Sequence, residues 1–185
     1  MAWSNRSKPQ PGEVTERFAD FVESFAYEQI PDRVLAHTKE IIYDGIGALL
    51  SATSTRYDIG AVLQRFVKET GGTPESQVFG TSLRTNCTTA ALVNGAFGYY
   101  CDIESHHAGP SMHPIAVVGP AAYAVGEKMH SSGKEVLAAI VVGIDRFPRI
   151  VDGLVRDAQM NEADAERRLA RGIDQFRGLN VRTEV

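Results

Sequence analysis

Apolar residues recur along most of this chain at the spacing of an α-helix. The first such stretch has an i, i+3, i+4, i+7 pattern, which places its large side chains on one helix face. Its members are Phe18, Phe21, Val22 and Phe25. The same spacing predicts further helices over about 31–50, 59–69, 85–101, 114–130 and 132–148, whereas only residues 77–79 are predicted to be extended. The pattern therefore predicts an all-α chain, a bundle of about six or seven helices with almost no sheet.

Three residues are interpreted as markers of helix ends. Thr15 has a side chain that can act as an N-cap. Pro31 suits the first turn of a helix, because the N–H groups of that turn make no hydrogen bond within the helix and the missing N–H of proline removes none. Pro148 is expected to end the last of these helices. The helix that begins near Thr85 is rich in small residues, so we expect it to pack closely at the centre of the bundle.

The chain divides into three parts by composition. Residues 1–13 are polar and contain two prolines, which predicts a flexible lead. Residues 14–150 carry the helical pattern and form the predicted domain. Residues 151–185 are rich in charge and poor in large apolar side chains, and we interpret them as a charged helical tail.

Charge and hydropathy exclude several function classes. The formal net charge is −4 and no cluster of Lys or Arg is present, so nucleic-acid binding is not expected. No apolar run reaches the roughly 18 residues of a membrane helix, and the polar N-terminus does not resemble a secretory signal. Cys87 and Cys101 would lie roughly 21 Å apart on one helix, too far for a disulfide. Free thiols fit a cytoplasmic protein.

Titratable side chains concentrate in the predicted loop from Asp102 to His113. Three of the five histidines lie there, and they are His106, His107 and His113. A carboxylate beside an imidazole can act as an acid–base pair near neutral pH, and loops on a rigid scaffold often carry such groups. A solvated polar loop without function is the alternative. A metal site is a second alternative, although the histidine spacing matches no common ligand motif.

Asp44 and the possible nucleophiles are further candidates for a functional role. Asp44 lies in an otherwise apolar helical stretch, and we interpret it as a buried carboxylate bonded to backbone or a neighbour rather than as a catalytic group. Nucleophilic catalysis is not expected, because Ser105 lacks the glycine-flanked turn of a nucleophilic serine and both cysteines lie among small apolar residues.

A set of short motifs, in this order and spacing, resembles the MmgE/PrpD family. All of these motifs lie between residues 14 and 150 of this chain, and each resembles a segment that the family has at the corresponding place. The motifs are Val78-Phe79-Gly80-Thr81, Ala90 to Gly95, Asp102 eight residues after Asn94, and His113-Pro114, with Pro31 to Leu50 upstream and Ser132-Gly133-Lys134 and Val142-Gly143-Ile144 downstream.

This resemblance implies a lyase or isomerase that acts on a small di- or tricarboxylate by metal-independent acid–base chemistry. It implies no cofactor, a homodimer, and a site between a helical domain and a smaller lid domain. The implied catalytic residues are Asp102, His113 and His106, and the implied substrate-binding residues are Glu104, Ser105, His107 and Asn94.

The chain also departs from the family pattern. Ser105 stands at an acidic position, His106 stands where the family usually has Thr, and the loop is about one residue longer. Family members are more than twice as long, so we expect the lid domain to be absent. A truncated, non-catalytic helical subunit is therefore one alternative function, and a metal-dependent hydrolase is a second.

Overall fold

The computed structural model describes residues 13–54, 56–108 and 112–157, which form helices and one short hairpin. The α-helices of these residues are α1 (Glu13–Ser24), α2 (Asp32–Ala52), α3 (Asp58–Thr70), α4 (Cys87–Tyr100), α5 (Pro114–Met129) and α6 (Gly133–Asp157). A 3-10 turn at Tyr27–Gln29 precedes α2, and strands β1 (Ser76–Gln77) and β2 (Arg84–Thr85) pair antiparallel. The prediction of an all-α chain is confirmed.

Helix α4 is central, as its small residues predict. It packs against α5, α2 and α3. A Cβ added at Gly95 would lie 3.5 Å from the carbonyl oxygen of Ala116, and one added at Gly98 would lie 3.8 Å from the Ala116 Cα, so α4 and α5 approach to backbone contact here. On its other side α4 contributes to the main apolar core, which consists of Leu49, Ala52, Val67, Val78, Val93 and Phe97.

The helix ends differ in three places from the prediction. Helix α1 already includes Glu13, so Thr15 lies inside it and is not its N-cap. Pro31 occupies the N-cap position of α2, one residue before the predicted first turn. Helix α6 continues to Asp157, so the prediction that it ends near Pro148 is wrong. A helix of 25 residues can lose one backbone hydrogen bond at proline and continue, as α5 also does at Pro120.

A carboxylate at the hairpin ties three elements together. Glu75 accepts a hydrogen bond from the backbone N–H of Cys87 at 3.0 Å and lies 3.2 Å from the Lys128 ammonium group. The Cys87 amide, and after it the Lys128 ammonium, lower the pKa of Glu75 below its ordinary value of 4.5. The start of α4 and the end of α5 are thus joined through the segment before β1.

Three further predictions concern the cysteines, membrane helices and the division of the chain. Both cysteines are free thiols, as predicted. None of the helices in the described ranges is long and apolar enough to cross a membrane. The predicted flexible lead, apart from residue 13, and the charged tail after residue 157 lie outside the described residues, so the three-part division of the chain stays a prediction.

Candidate active site

The ends of two packed helices bring Asp102 and His113 together. Helix α4 ends at Tyr100, and Asp102 follows two residues later with a left-handed backbone, φ = 52°. His113 occupies the N-cap position of α5. Because α4 and α5 pack side by side and the chain reverses between them, the residue after one helix meets the residue before the next. The carboxylate Oδ1 of Asp102 lies 3.4 Å from Nε2 of His113.

The imidazole of His113 is held from its other side by Glu104. Its Nδ1 lies 3.2 Å from the Glu104 carbonyl oxygen and 3.3 Å from the carboxylate Oε1 of the same residue. A carbonyl oxygen only accepts, so a hydrogen bond there requires a proton on Nδ1. Nε2 is then the nitrogen that faces Asp102, whose side chain is 70% exposed, whereas that of His113 is 15% exposed. One nitrogen of His113 is therefore bonded within the protein, and the other faces the exposed carboxylate of Asp102.

Glu104 lies beneath His113 rather than at the surface. Its side chain is completely buried, and its Oε2 accepts a hydrogen bond from the backbone N–H of Ile103 at 3.1 Å. Its Oε1, although close to Nδ1, makes no aligned hydrogen bond with any described residue. A buried carboxylate is costly unless a positive charge or donor compensates it. Glu104 therefore contacts the imidazole of His113, and its predicted role in binding substrate stays a prediction.

The loop is anchored to α2 by Asp44. One carboxylate oxygen of Asp44 accepts from the backbone N–H of Ser105 at 2.8 Å and from its hydroxyl at 2.6 Å, across 61 residues of sequence. Asp44 is bonded to a neighbour, as interpreted from the sequence, but it is exposed rather than buried. Ser105 thus uses its hydroxyl proton to fix the loop. The sequence signal for this anchor was an acidic residue in an apolar helix, although its partner could not be identified.

The remaining histidines of the loop lie on different sides of it. The exposed ring of His106 lies 5.0 Å from that of His113, and the ring of Tyr99 contacts His113 edge-on at 5.4 Å. His107 forms an antiparallel bridge with Met112, which closes the neck of the loop. The side chain of His107 lines a cleft of about 750 Å³ beside α1, α2 and α6. His106 joins the cluster, and Tyr99 is a neighbour that sequence reasoning missed.

Asn94 lies in the interior of the protein. It is completely buried, and its amide donates to the carbonyl of Gln77 at 2.9 Å and accepts from the backbone N–H of Phe79 at 3.0 Å. These contacts hold the hairpin against α4. One N–H donor and the oxygen of its side-chain amide are therefore bonded to the protein backbone, and its predicted role in binding substrate stays a prediction.

The cluster can be described chemically as two carboxylates around an imidazole. Asp102, Glu104 and His113 each offer one ligand atom, and these atoms lie within 4.8 Å of one another. Such a group can transfer protons, since its members differ in exposure and one nitrogen is fixed. It also has the donor types that bind divalent metal ions.

Comparisons with known proteins agree with the motifs. A model of the MmgE/PrpD N-terminal domain matches residues 16–162. Cis-aconitate decarboxylase of Aspergillus terreus is 27% identical over 142 residues, and the human cis-aconitate decarboxylase is 29% identical over 144 residues. A cis-aconitate decarboxylase-like protein of Aspergillus oryzae is 28% identical over 146 residues.

These matches cover 74–75% of this chain but only 29–30% of each relative. The chain therefore spans less than a third of the length of the curated relatives. The family model covers most of the chain, including every residue of the Asp102–Glu104–His113 cluster and its anchor on α2. The chain belongs to the MmgE/PrpD family and carries its N-terminal domain.

Proposed function

We propose that this chain supplies the acid–base groups of a lyase or isomerase that acts on a small di- or tricarboxylate. The observation that carries the proposal is the imidazole of His113 held between the carboxylates of Asp102 and Glu104. The names of the relatives support it, since each is a decarboxylase of cis-aconitate or is similar to one. Dehydration and epimerisation need a base that removes a proton beside a carboxylate and an acid that protonates the leaving hydroxyl or the carbon. Decarboxylation needs an acid that protonates the carbon from which CO₂ departs, and these three are the reactions we propose for this site.

In this proposal Asp102 is the base and His113 is the proton donor. Asp102 is the more exposed of the two and meets the substrate first. It accepts a proton from the carbon next to a substrate carboxylate. His113 starts the step as an imidazolium with a proton on each nitrogen, and its Nε2 donates one of them to the carbon or hydroxyl on which charge develops. The Glu104 carbonyl keeps the proton on Nδ1 and thereby keeps Nε2 directed at the reacting atoms. These steps need no metal or cofactor.

Two neighbouring residues complete the proposed site. The exposed ring of His106 lies beside His113, so in its charged form it can contact a substrate carboxylate or pass a proton. Ser105 positions the loop through Asp44 and does not bind substrate in this scheme. Further groups for a di- or tricarboxylate would come from a lid domain of the kind that the family resemblance implies.

We further propose that the protein acts as a homodimer, as the family resemblance implies. Several large apolar side chains on α4 and α5 are exposed, and a second copy could cover them; they are Leu92, Val117, Val125 and Met129, with 52–65% of each exposed. Light scattering tests this proposal. We expect Val125→Lys to lower the measured mass by half, whereas Val62→Lys on α3 leaves it unchanged. A wild-type mass equal to that of one chain refutes it.

Proton exchange tests the proposed chemistry directly. Citrate and cis-aconitate are incubated with the chain in D₂O, and loss of the carbon-bound proton is followed by NMR. We expect exchange to fall by about 100-fold or more in His113→Ala and Asp102→Asn, a typical effect of removing a general acid or base. His37→Ala is the matched control, because its imidazole is exposed on α2 and contacts Glu40 instead of the site.

A second candidate function is that of a non-catalytic helical subunit. The observation that favours it is the departure of the loop from the family pattern, with Ser105 at an acidic position and His106 at the usual position of Thr. The same experiment separates the two functions. Exchange no faster than in buffer, from a wild-type chain with normal helical circular dichroism, rules out the first proposal for this chain alone and supports the second.

A further inference from the structure

The buried carboxylate of Glu104 has one oxygen that the protein leaves without a hydrogen bond. Its Oε2 is occupied by the Ile103 amide, but Oε1 is fully buried and receives no aligned donor from the described residues. The nearest candidate, Nδ1 of His113, directs its proton to the Glu104 carbonyl instead. Oε1 lies 3.3 Å from Nδ1 of His113 but receives no aligned hydrogen bond from it, so a further positive charge beside this buried carboxylate would stabilise it.

Oε1 belongs to a group of three potential ligand atoms. The others come from Asp102 and His113, and all three lie within 4.8 Å of one another. Bonds of about 2.0–2.2 Å to zinc in a tetrahedral site place neighbouring ligand atoms about 3.4 Å apart. The largest separation therefore has to close by roughly 1 Å, which the largely exposed side chain of Asp102 can supply by rotation.

We propose that Asp102, Glu104 and His113 form a binding site for a divalent transition-metal ion, with Zn²⁺ as the preferred ion. Two carboxylates contribute two negative charges, and an imidazole nitrogen provides a borderline ligand that zinc accepts readily and magnesium does not. Three protein ligands leave a fourth position open to water. The exposed side of Asp102 gives the ion its entry path.

The bound ion acts as an inhibitor of the proposed chemistry. A nitrogen or carboxylate that coordinates a metal cannot also accept or donate a proton, so Zn²⁺ and proton transfer exclude each other. This inhibition depends on the function proposed above, whereas the binding of the ion does not.

Calorimetric titration of the full chain with Zn²⁺, after treatment with a chelator and without substrate, tests the site. We expect one ion per chain. We expect at least 10-fold weaker binding in His113→Ala and Glu104→Gln, at least 10-fold weaker binding of Mg²⁺ to the wild type, and an unchanged affinity for Zn²⁺ in His37→Ala. Because Glu104 is buried, its variant is checked by circular dichroism. Asp102→Asn, with an exposed side chain, provides a second variant that is expected to keep the fold.

The outcomes separate this proposal from the function proposed above. Zinc affinity that falls in Asp102→Asn and His113→Ala supports the site even if no substrate exchanges protons. Zinc binding that is absent in the wild type, or equal in these variants and in His37→Ala, overturns the site and leaves the proton-exchange result untouched. If both zinc binding and exchange are present, adding one equivalent of Zn²⁺ is expected to reduce exchange at least 10-fold.

Discussion

Replacing Asn94 by alanine is expected to destabilise the protein by about 3 kcal/mol. The side chain is completely buried and makes two hydrogen bonds to the backbone of the hairpin, with Phe79 and Gln77. Removing it leaves one N–H and one carbonyl without partners, and each such group costs about 1–3 kcal/mol when buried. Both partner residues are only partly buried, so water can reach them and the total falls in the lower part of the range, at about 2–4 kcal/mol.

Urea unfolding followed by circular dichroism measures this loss. Thr88→Ala is the matched control, since Thr88 lies on the same helix with an exposed side chain, and its free energy of unfolding is expected to change by less than about 0.5 kcal/mol. For a chain of this size, a loss of 3 kcal/mol lowers Tm by about 6–12 °C. The slope of the free energy against urea concentration is expected to stay the same, because the folded state still buries the same surface.

One result refutes this reasoning. Suppose that Asn94→Ala unfolds at the same urea concentration as Thr88→Ala but has lost proton exchange with a polycarboxylate. Asn94 then contacts the substrate. Its role is then the one that the family resemblance implies, and the hydrogen bonds to the hairpin are not what the residue provides.

Three further outcomes follow from the contacts described above. Asp44→Ala is expected to slow proton exchange about 10-fold, because Ser105 loses both hydrogen bonds to α2. Asp44 is exposed, which limits the loss of unfolding free energy to about 1 kcal/mol. Unchanged exchange contradicts the anchoring role of Asp44. The backbone amide and the ammonium group that hold Glu75 lower its pKa, so its contribution to stability is present above pH 4.5 and is lost as the pH falls through the lowered pKa. Acid unfolding monitored between pH 6 and pH 2 is expected to show a shallower loss in Glu75→Gln, and parallel curves refute this. A Cβ added at Gly143 would collide with Val118, so Gly143→Val is expected to reduce the free energy of urea unfolding by about 1–3 kcal/mol by forcing α5 and α6 apart; a stability equal to the wild type contradicts that contact.

The helices could be predicted because their signals are local. The predicted third helix over 59–69 differs from α3 by one residue at each end, since its apolar stripe and the following glycines are all within one short stretch. The end of α6 could not be predicted from Pro148, because whether a helix continues past proline depends on the turns that follow it and on what they pack against. The sequence shows that a proline removes one backbone hydrogen bond from the helix. It does not show whether the packing of the following turns offsets that loss.

The residues of the candidate site could be named from the sequence, but their arrangement could not be predicted. The sequence brings Asp102 and His113 into one loop, and the packing of α4 on α5 explains why they meet. The burial of Glu104 and the amide contacts of Asn94 depend on three-dimensional neighbours, which spacing along the chain does not contain. The contact between Asp44 and Ser105 joins residues 61 positions apart, and no local pattern links them.

The contact between Asp44 and Ser105 also bears on the order in which the helices and the loop reach their final structure during folding. Helices form from neighbouring residues in about a microsecond, whereas a contact across 61 residues requires the intervening chain to be folded and docked first. The loop therefore has its final shape only after α2, α4 and α5 have come together. During refolding, the helical signal is expected to recover before the proton exchange proposed for this site. That exchange would then report on the last stage of assembly rather than on the presence of helices.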